Sequence, residues 1–322
     1  MHEEDFVVIL FSANISERHR LHLQETYPKQ SFVFCTDMQE AKKHLPEAEV
    51  LVTYGEDLDK HLIQEAENLR WIMVMSAGIE QLPFKAIHEK KILVTNARGI
   101  HKTPMAEYVI AMLLQVYRQA KVLMKNEANH KWDRSVKMQE ISGRTMVIAG
   151  TGAIGQEVAR LAKAFHMKTY GISRSGKNVD YFDVNYSTDQ MMDVIPKADF
   201  VISVLPSTKE TKYLFTDEHF RQMKDTAIFL NMGRGDVVRE ETVLKAVQDR
   251  QIAHAVLDVF TTEPLPEDHP FWKEESITIT PHLSGMSSLY VTRSLDIFKN
   301  NLQAYLDGTG EFVNTIDLMR GY

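Results

Sequence analysis

The fold is decided by residues 145–155, TMVIAGTGAIG, where an apolar run leads into the spacing G-x-G-x-x-G. The run predicts a buried strand, and the residues from 156 to 166 predict a helix. In that context the first glycine permits a tight turn, the second admits a pyrophosphate, and the third lets the helix pack on the strand. A turn without a ligand is the alternative. The residues predicted to bind a dinucleotide are Gly150, Gly152, Ala153, Ile154 and Gly155.

A basic turn follows the next predicted strand, residues 169–172. NAD sites usually carry a carboxylate about twenty residues beyond the glycine loop, where it binds the ribose 2′-hydroxyl. Here the turn reads Ser173, Arg174, Ser175, Gly176 and Lys177. A guanidinium can bind a 2′-phosphate through two N–H groups, and the hydroxyls and the lysine add donors. This predicts NADP as the preferred cofactor over NAD; a solvated turn with NAD held through its pyrophosphate is the alternative.

On both sides of the glycine loop, short apolar runs alternate with helix-like segments along most of the chain. This alternation predicts parallel sheets flanked by helices. Five strands are predicted before the glycine loop, at residues 6–11, 31–35, 50–53, 71–75 and 92–95. Six are predicted from there on, at residues 145–149, 169–172, 200–205, 227–231, 254–258 and 277–280. Thr103 and Pro104 are predicted to begin one long helix over residues 106–123. Residues 287–306 and 312–317 are too short to fold alone and are predicted to pack on the first domain.

The length, composition and net charge of the chain exclude several classes of protein. The chain has 322 residues, of which 44% are hydrophobic, and a formal net charge of −7, so it has the length for two domains and no basic patch for nucleic acid. No apolar run reaches the roughly 20 residues that cross a bilayer. The chain begins Met-His-Glu-Glu-Asp, unlike a signal peptide, and its single cysteine, Cys35, fits a reducing compartment. We therefore expect a cytoplasmic protein without nucleic-acid or membrane partners.

Three later strands end in chemically active side chains, namely Arg234, Glu263 and His282. Because ligands bind beyond the carboxyl ends of parallel strands, these groups are expected to converge. Arg234 would bind a substrate carboxylate and polarise a carbonyl, and His282 would exchange the proton on its oxygen. Glu263 would orient the imidazole and favour its protonated form. Each residue alone could be a solvated loop side chain, and no second histidine or carboxylate lies at metal-ligand spacing beside His282.

The chain resembles the D-isomer-specific 2-hydroxyacid dehydrogenases, which include glyoxylate and hydroxypyruvate reductases. The resemblance covers nearly the whole chain and rests, besides the glycine loop, on residues 76–80 (SAGIE), 96–99 (NARG), 106–107 (AE), 205–208 (LPST), 231–235 (NMGRG), 258–266 (DVFTTEPLP) and 281–282 (PH). It implies two doubly wound parallel-sheet domains, with a Rossmann cofactor domain, residues 99–287, inserted into a flavodoxin-like substrate domain, residues 1–98 and 288–322. It also implies a homodimer, with the long helix after Thr103 contributing to the interface; a helix buried within its own domain would have the same apolar pattern.

The resemblance also implies roles for particular residues. Arg234, Glu263 and His282 correspond to the family's catalytic residues. The amides of Ala77 and Gly78 correspond to groups that hold the substrate carboxylate. Tyr54 belongs to the departures from the family pattern, and it is expected to face the substrate and to affect the size that is accepted. Further cofactor contacts are expected at Leu205, Pro206, Met232, Asp258 and Gly285.

The expected activity is hydride transfer between NAD(P)H and a small 2-oxo or 2-hydroxy acid, such as reduction of glyoxylate or hydroxypyruvate. Branched and aromatic 2-oxo acids stay open, and the D configuration rests on the resemblance. The main alternative is a protein on the same fold that senses NAD(P) without turnover. Relatives of adenosylhomocysteine hydrolase or formate dehydrogenase are minor alternatives, because the former needs extra segments and the latter would place asparagine and glutamine about the histidine.

Overall fold

The computed structural model describes residues 6–79, 81–308 and 311–318, so Glu80 of the predicted SAGIE motif lies outside the described residues. The chain divides into two compact units, Met1–Ile100 with Ser287–Tyr322, and His101–Met286. Each unit is built on one parallel sheet, which confirms the predicted fold class. The roles assigned to the two parts of the chain, with boundaries at residues 98 and 287, stay predictions. No helix among the described residues is long and apolar enough to cross a membrane.

The first unit begins with five strands and four helices in alternation. The strands are β1 (Val8–Phe11), β2 (Ser31–Phe34), β3 (Val50–Thr53), β4 (Trp71–Val74) and β5 (Leu93–Asn96). The helices are α1 (Glu17–Thr26), α2 (Met38–Ala41), α3 (Lys60–Glu65) and α4 (Phe84–Glu89). The sheet order is β2-β1-β3-β4-β5, all parallel, which is the flavodoxin-like order. All five strands lie where the sequence predicted them.

The second unit contains seven strands. They are β6 (Thr145–Ala149), β7 (Lys168–Ser173), β8 (Val184–Ser187), β9 (Phe200–Ser203), β10 (Ile228–Asn231), β11 (His254–Leu257) and β12 (Ile277–Ile279). The order β12-β11-β10-β9-β6-β7-β8 is parallel throughout and reverses between β6 and β9, the point where doubly wound sheets bind ligands. The sequence predicted six strands and missed β8. Its sequence VNYS has no apolar run, because β8 is a partly exposed edge strand.

Six helices belong to this unit. They are α5 (Lys102–Tyr117), α6 (Ala120–Ala128), α7 (Ala153–Ala164), α8 (Met191–Val194), α9 (Asp217–Gln222) and α10 (Glu240–Gln248). The single helix predicted over residues 106–123 is wrong, because the chain turns at Gln119, which has a left-handed φ of 54°. Thr103 is also not the N-cap; helix α5 already begins at Lys102, after His101.

Alternate residues of the second sheet supply two separate cores. Met146 and Ile148 pack with the apolar side of α5, whereas Val147 and Ala149 pack into the cluster that holds Phe229. Both faces of the sheet are therefore buried, as is usual for parallel sheets. Side chains of the central strands are used for packing, which leaves the strand ends to carry chemistry.

The chain finally returns to the first unit as α11 (Tyr290–Asp307). Phe298 of this helix stacks on Trp71 and meets Phe11 edge-on, each at a centroid distance of 5.5 Å. After the helix, Thr315 forms an antiparallel bridge with Thr95. The C-terminal segment thus closes one face and one edge of the first sheet.

Candidate functional site

The glycine loop joins β6 to α7, and two of its glycines are required by the turn itself. Gly150 has a φ of 106°, and a Cβ there would lie 2.8 Å from Cγ2 of Val204. A Cβ on Gly155 would lie 1.9 Å from the carbonyl oxygen of Gly150, so a side chain would force the helix away from the strand. These two glycines would be needed with or without a ligand.

Gly152 is different, because nothing in the protein occupies the space beside it. It has ordinary backbone angles, φ −74° and ψ −166°, and a Cβ would meet no atom within 4 Å. It is the N-cap of the 12-residue helix α7, whose first turn, with Ala153 and Ile154, has no side-chain cap. Open space before uncapped helical amides is what a phosphate group needs. The loop therefore fits the pyrophosphate of a dinucleotide.

The basic turn leaves the end of β7 at the surface. Ser173 is the last residue of the strand and is half-buried, while Arg174, Ser175 and Lys177 are exposed. Gly176 adopts a φ of 62°, and the amide of Lys177 donates to Oγ of Ser175 at 3.3 Å. Among the described residues no carboxylate forms an ion pair with Arg174 within 4.0 Å. The guanidinium is available to an anionic ligand.

Acidic side chains near this turn are engaged elsewhere. Asp183 accepts hydrogen bonds from the amide of Thr169 at 2.8 Å and from Nζ of Lys163 at 2.5 Å. Thr169 is near the start of β7, about 13 Å along the strand from Ser173. Glu210 has a lowered pKa, first because its own amide and the Thr208 hydroxyl donate to it and then because Arg174 is nearby. Asp183 is therefore held near the start of β7, and the last residue of the strand, Ser173, has a hydroxyl where NAD sites usually carry a carboxylate.

Arg234 follows β10 and lies between two glycines, Gly233 and Gly235, that pack closely against neighbouring main chain. A Cβ on Gly233 would lie 2.4 Å from the carbonyl oxygen of Leu205, and one on Gly235 would lie 2.1 Å from the carbonyl carbon of Phe260. Nδ2 of Asn231 also donates to the carbonyl oxygen of Arg234 at 2.9 Å. The arginine side chain itself is exposed. Nη1 of Arg234 donates to the carbonyl oxygen of Gly233 at 2.8 Å. The backbone thus presents an exposed, partly anchored guanidinium near Glu263.

Glu263 and His282 form a hydrogen-bonded pair. Nδ1 of His282 lies 2.8 Å from Oε2 of Glu263, and Oε1 of the same carboxylate accepts from the amide of Phe260 at 2.9 Å. The side chain of Glu263 is 36% exposed and that of His282 is 50% exposed. Nε2 of His282 has no hydrogen-bond partner among the described residues. The glutamate fixes the ring and leaves Nε2 open for proton exchange.

The charges around Glu263 favour its ionised form. Partial burial acts most strongly on its pKa and raises it, but the hydrogen bonds from His282 and Phe260, with the charges of His282 and Arg234, outweigh that effect. The pKa of Glu263 is therefore below its ordinary value. An ionised carboxylate at this position accepts the hydrogen bond from Nδ1 of His282 and so fixes the orientation of the ring.

The remaining predicted cofactor residues differ in how accessible they are. Leu205 is partly exposed, Pro206 is exposed, and Gly285 lies against the ring of His101, where a Cβ would be 3.0 Å from Cδ2. Met232, by contrast, is 2% exposed within the core. Asp258 is fully buried, and its carboxylate is occupied by protein donors. The side chains of Met232 and Asp258 are thus turned into the protein.

In the first unit, the loop with Ala77 and Gly78 follows β4, and Tyr54 follows β3. Oγ of Ser76 donates to the carbonyl oxygen of Gly78 at 2.6 Å, and Nδ2 of Asn96 donates to that of Ala77 at 2.8 Å. No described group accepts a hydrogen bond from the amides of Ala77 or Gly78. Two main-chain donors are therefore free at a strand end, while Tyr54 is 37% exposed.

Some residues that support these loops were missed by the sequence reasoning. Nδ2 of Asn314, in the C-terminal segment, donates to the carbonyl oxygens of Asn96 at 3.1 Å and Arg98 at 2.8 Å. Asn96 itself was quoted only as part of a motif. Tyr108 and Thr280 hydrogen-bond below the His282 loop. Among the described residues no three His, Cys, Asp or Glu side chains are grouped as metal ligands.

Comparison with known proteins gives consistent matches. Residues 110–284 match the family model of the D-isomer specific 2-hydroxyacid dehydrogenase, NAD binding domain. A glyoxylate reductase of Thermofilum pendens is 30% identical over 266 residues, which is 80% of this chain and 78% of that protein. A glyoxylate reductase/hydroxypyruvate reductase of Mus musculus is 31% identical over 267 residues, 80% of this chain and 81% of that one.

A solved structure extends the similarity to almost the whole length. The D-isomer specific 2-hydroxyacid dehydrogenase family protein of Aeromonas salmonicida superposes with a TM-score of 0.84 at 33% identity, covering 98% of this chain and 100% of that chain. The family match spans most of the unit in which the glycine loop and the His282–Glu263 pair lie. This chain belongs to the D-isomer-specific 2-hydroxyacid dehydrogenase family and contains that family's NAD-binding domain.

Proposed function

We propose that the protein reduces a small 2-oxo acid to the corresponding 2-hydroxy acid with NADPH as the preferred cofactor. The observation that carries this proposal is the pair formed by Nδ1 of His282 and Oε2 of Glu263 at 2.8 Å, which leaves Nε2 open. A protein that only senses a nucleotide would have no use for an oriented acid–base group. The charge of Arg234, near the same carboxylate, adds the group that an anionic substrate requires.

Each catalytic group has a defined task in reduction. Arg234 binds the substrate carboxylate and polarises the carbonyl, whose oxygen gains negative charge as the carbon is reduced. Nε2 of protonated His282 donates a proton to that oxygen, and Glu263 stabilises the imidazolium through Nδ1 until the transfer. In the first unit, the amides of Ala77 and Gly78 are the proposed donors for a carboxylate, and Tyr54 is a proposed determinant of substrate size.

The cofactor is assigned to the glycine loop and the basic turn. The amides of Ala153 and Ile154 and the space beside Gly152 hold the pyrophosphate, and Arg174 with its neighbours holds a 2′-phosphate. Leu205 and Pro206 line the adenosine, and Gly285 lies close to the nicotinamide end. When bound, the reduced nicotinamide supplies the hydride that reduces the carbonyl carbon.

Glyoxylate and hydroxypyruvate are the proposed substrates, because several relatives are named for these acids. The test is to follow nicotinamide absorbance with NADPH and NADH against glyoxylate, hydroxypyruvate, pyruvate, 2-oxoisocaproate and phenylpyruvate. Turnover with a short acid supports the proposal. Binding of NADPH without turnover of any acid would favour the sensor alternative.

Two histidine variants, one at the proposed site and one outside it, test the acid–base role of His282. His282→Gln should lower kcat by about 10²-fold or more, the usual contribution of general acid catalysis, with little change in NADPH affinity. His22→Gln changes an exposed histidine of α1 and should leave kcat unaltered. A His282→Gln enzyme that keeps most of its kcat would remove the imidazole from the mechanism.

We also propose a homodimer in which α6 and the segment after it form the interface. Val109, Ile110 and Leu113 of the predicted interface helix are buried in their own unit, so they cannot carry a dimer contact. Met124 and Trp132, by contrast, are 67% and 92% exposed. Light scattering on wild type and Trp132→Arg tests this: a dimer that the substitution dissociates supports it, and a wild-type monomer overturns it.

A cytoplasmic location is proposed from cysteine usage alone. Cys35 is the single cysteine of the chain and is buried, so no disulfide within the chain stabilises the fold. Cell fractionation with an antibody against the protein would test this, and recovery from an oxidising compartment would contradict it.

A further inference from the structure

The loop that contains His282 is held from below by one buried carboxylate. Asp258 has no exposed surface, and its two oxygens accept three hydrogen bonds. Oδ1 accepts from the amide of Leu283 at 2.9 Å and from Oγ1 of Thr280 at 2.6 Å, and Oδ2 accepts from the amide of Ser284 at 2.9 Å. The residues on either side of the Pro281–His282 pair are thus tied to the same side chain.

The main chain of His282 is bound to the same place. Its amide donates to the carbonyl oxygens of Asp258 at 2.9 Å and Thr280 at 3.0 Å. Its φ is 50°, in the left-handed region that non-glycine residues rarely adopt. Such a conformation persists only where surrounding contacts hold it. The direction in which the imidazole points therefore depends on the hydrogen bonds beneath it.

Helix α5 supplies the last member of this network. The hydroxyl of Tyr108 lies 2.6 Å from Oγ1 of Thr280 and is buried with its ring. Burial raises the pKa of Tyr108, so the phenol keeps its proton at neutral pH. Since the single proton of Thr280 is donated to Asp258, the phenol must be the donor to Thr280. The donors then run in one direction, from Tyr108 through Thr280 to Asp258.

We propose that Tyr108 is a positioning residue for His282, acting through Thr280 and Asp258 rather than by contact with the substrate or the cofactor. The inference rests on the proposed acid–base role of His282. Without the phenol, Thr280 can rotate its hydroxyl away from Asp258, and the carboxylate then holds the 282–284 segment less firmly. The ring of Tyr108 also packs in the core, so only removal of the hydroxyl tests the proposal.

Four variants separate positioning from packing. Tyr108→Phe and Thr280→Val each remove one hydroxyl of the network, whereas Thr280→Ser keeps it. Tyr117→Phe is the matched control, because Tyr117 is a buried tyrosine of the same helix whose ring packs on Phe200. Each is measured for kcat and KM with glyoxylate and hydroxypyruvate, for NADPH affinity by fluorescence, and for amide hydrogen exchange of the peptide that contains Leu283 and Ser284.

We expect Tyr108→Phe and Thr280→Val to lower kcat by about tenfold, as a small misplacement of a catalytic group does, with NADPH affinity within about twofold of wild type. The Leu283–Ser284 peptide should exchange about five- to tenfold faster, the effect of one lost hydrogen bond. Thr280→Ser and Tyr117→Phe should match wild type in both measurements.

The outcomes distinguish this inference from the proposed function. If wild type turns over 2-oxo acids and Tyr108→Phe keeps its kcat and its exchange rate, the positioning role is wrong and the proposed function stands. If wild type turns over none of the acids, the proposed function fails, and a role of Tyr108 in catalysis fails with it. Faster exchange in Tyr108→Phe would then show that the network holds the loop without serving that reaction.

Discussion

Oε2 of Glu263 lies 2.8 Å from Nδ1 of His282, while Oε1 of the same carboxylate accepts a hydrogen bond from the amide of Phe260 at 2.9 Å. One carboxylate thus binds both its own loop and the imidazole of another loop. Because Gly235 packs against the main chain of Phe260, the segments that carry the three proposed catalytic side chains are in contact through this backbone. A change at Glu263 should therefore affect both catalysis and local stability.

Glu263→Gln tests both effects. The amide removes the negative charge that favours imidazolium, and kcat should fall by about 10²-fold at neutral pH. The pKa of Glu263 is below its ordinary 4.5, so its contribution to stability is complete above that pH and is lost as pH falls through the lower value. Unfolding free energies should then differ between wild type and variant at pH 7 and converge in acid. A gap that widens in acid would contradict this assignment.

Gly152→Ala and Gly155→Ala should separate cofactor binding from folding. A Cβ at position 152 meets no protein atom within 4 Å, so the melting temperature should hold while NADPH and NADH affinities fall together. A Cβ at position 155 would lie 1.9 Å from the carbonyl oxygen of Gly150, so both stability and affinity should fall. Calorimetry and fluorescence titration measure the two effects. Unchanged affinity in Gly152→Ala would place the pyrophosphate elsewhere.

The positive charge of Arg174 should strengthen NADPH binding, and the negative charge of Glu210 should weaken it. Arg174→Ala should weaken NADPH by about tenfold or more, the loss of a charge-assisted hydrogen bond, and leave NADH nearly unchanged. Glu210→Gln removes a nearby negative charge and should strengthen NADPH by about twofold to threefold at low salt. Equal effects on the two cofactors would show that the turn does not bind the 2′-phosphate. Lys168→Ala, at the opposite end of β7, is the control.

Asn96→Ala tests the loop that contains Ala77. Without the hydrogen bond from Nδ2 of Asn96, the carbonyl of Ala77 can rotate, and the amides that follow lose their direction. The substitution also removes the hydrogen bond from the amide of Arg98 to Oδ1 of Asn96 at 3.2 Å. KM for the 2-oxo acid should therefore rise by about fivefold or more, the effect of one to two lost hydrogen bonds, with NADPH affinity unaltered. Asn68→Ala removes a similar hydrogen bond, to the carbonyl of Pro46, and should leave KM unchanged. A shared rise in both variants would indicate general destabilisation of the unit.

The parts of the fold that follow from periodic patterns were predictable. Strands such as β3 and β9 are apolar runs with both faces buried, and the sequence located them. Strand β8 was missed because its side chains are half-exposed at an edge, where packing imposes no apolar pattern. The break at Gln119 was missed because a left-handed residue other than glycine has no clear signature in sequence.

The residues of the candidate site also fall into those that could be predicted from sequence and those that could not. Arg234, Glu263 and His282 could be found because each follows a strand and has the chemistry for the reaction. Asn96 and Tyr108 could not, because their hydrogen bonds reach loops 19 and 172 residues away along the chain. Met232 and Asp258 lie in motifs, but their side chains are turned inward, and orientation at a strand end cannot be deduced from a motif.

The exposed turn after β7 has a consequence for how this enzyme could change over evolution. The side chains of Arg174, Ser175 and Lys177 are exposed and do not pack in the core. Substitutions at these positions should therefore leave the free energy of unfolding almost unchanged. The residues that build the fold and the residues proposed to choose between phosphorylated and unphosphorylated cofactors are therefore separate sets. A lineage could switch its source of reducing power through a few surface substitutions while its catalytic machinery stayed intact.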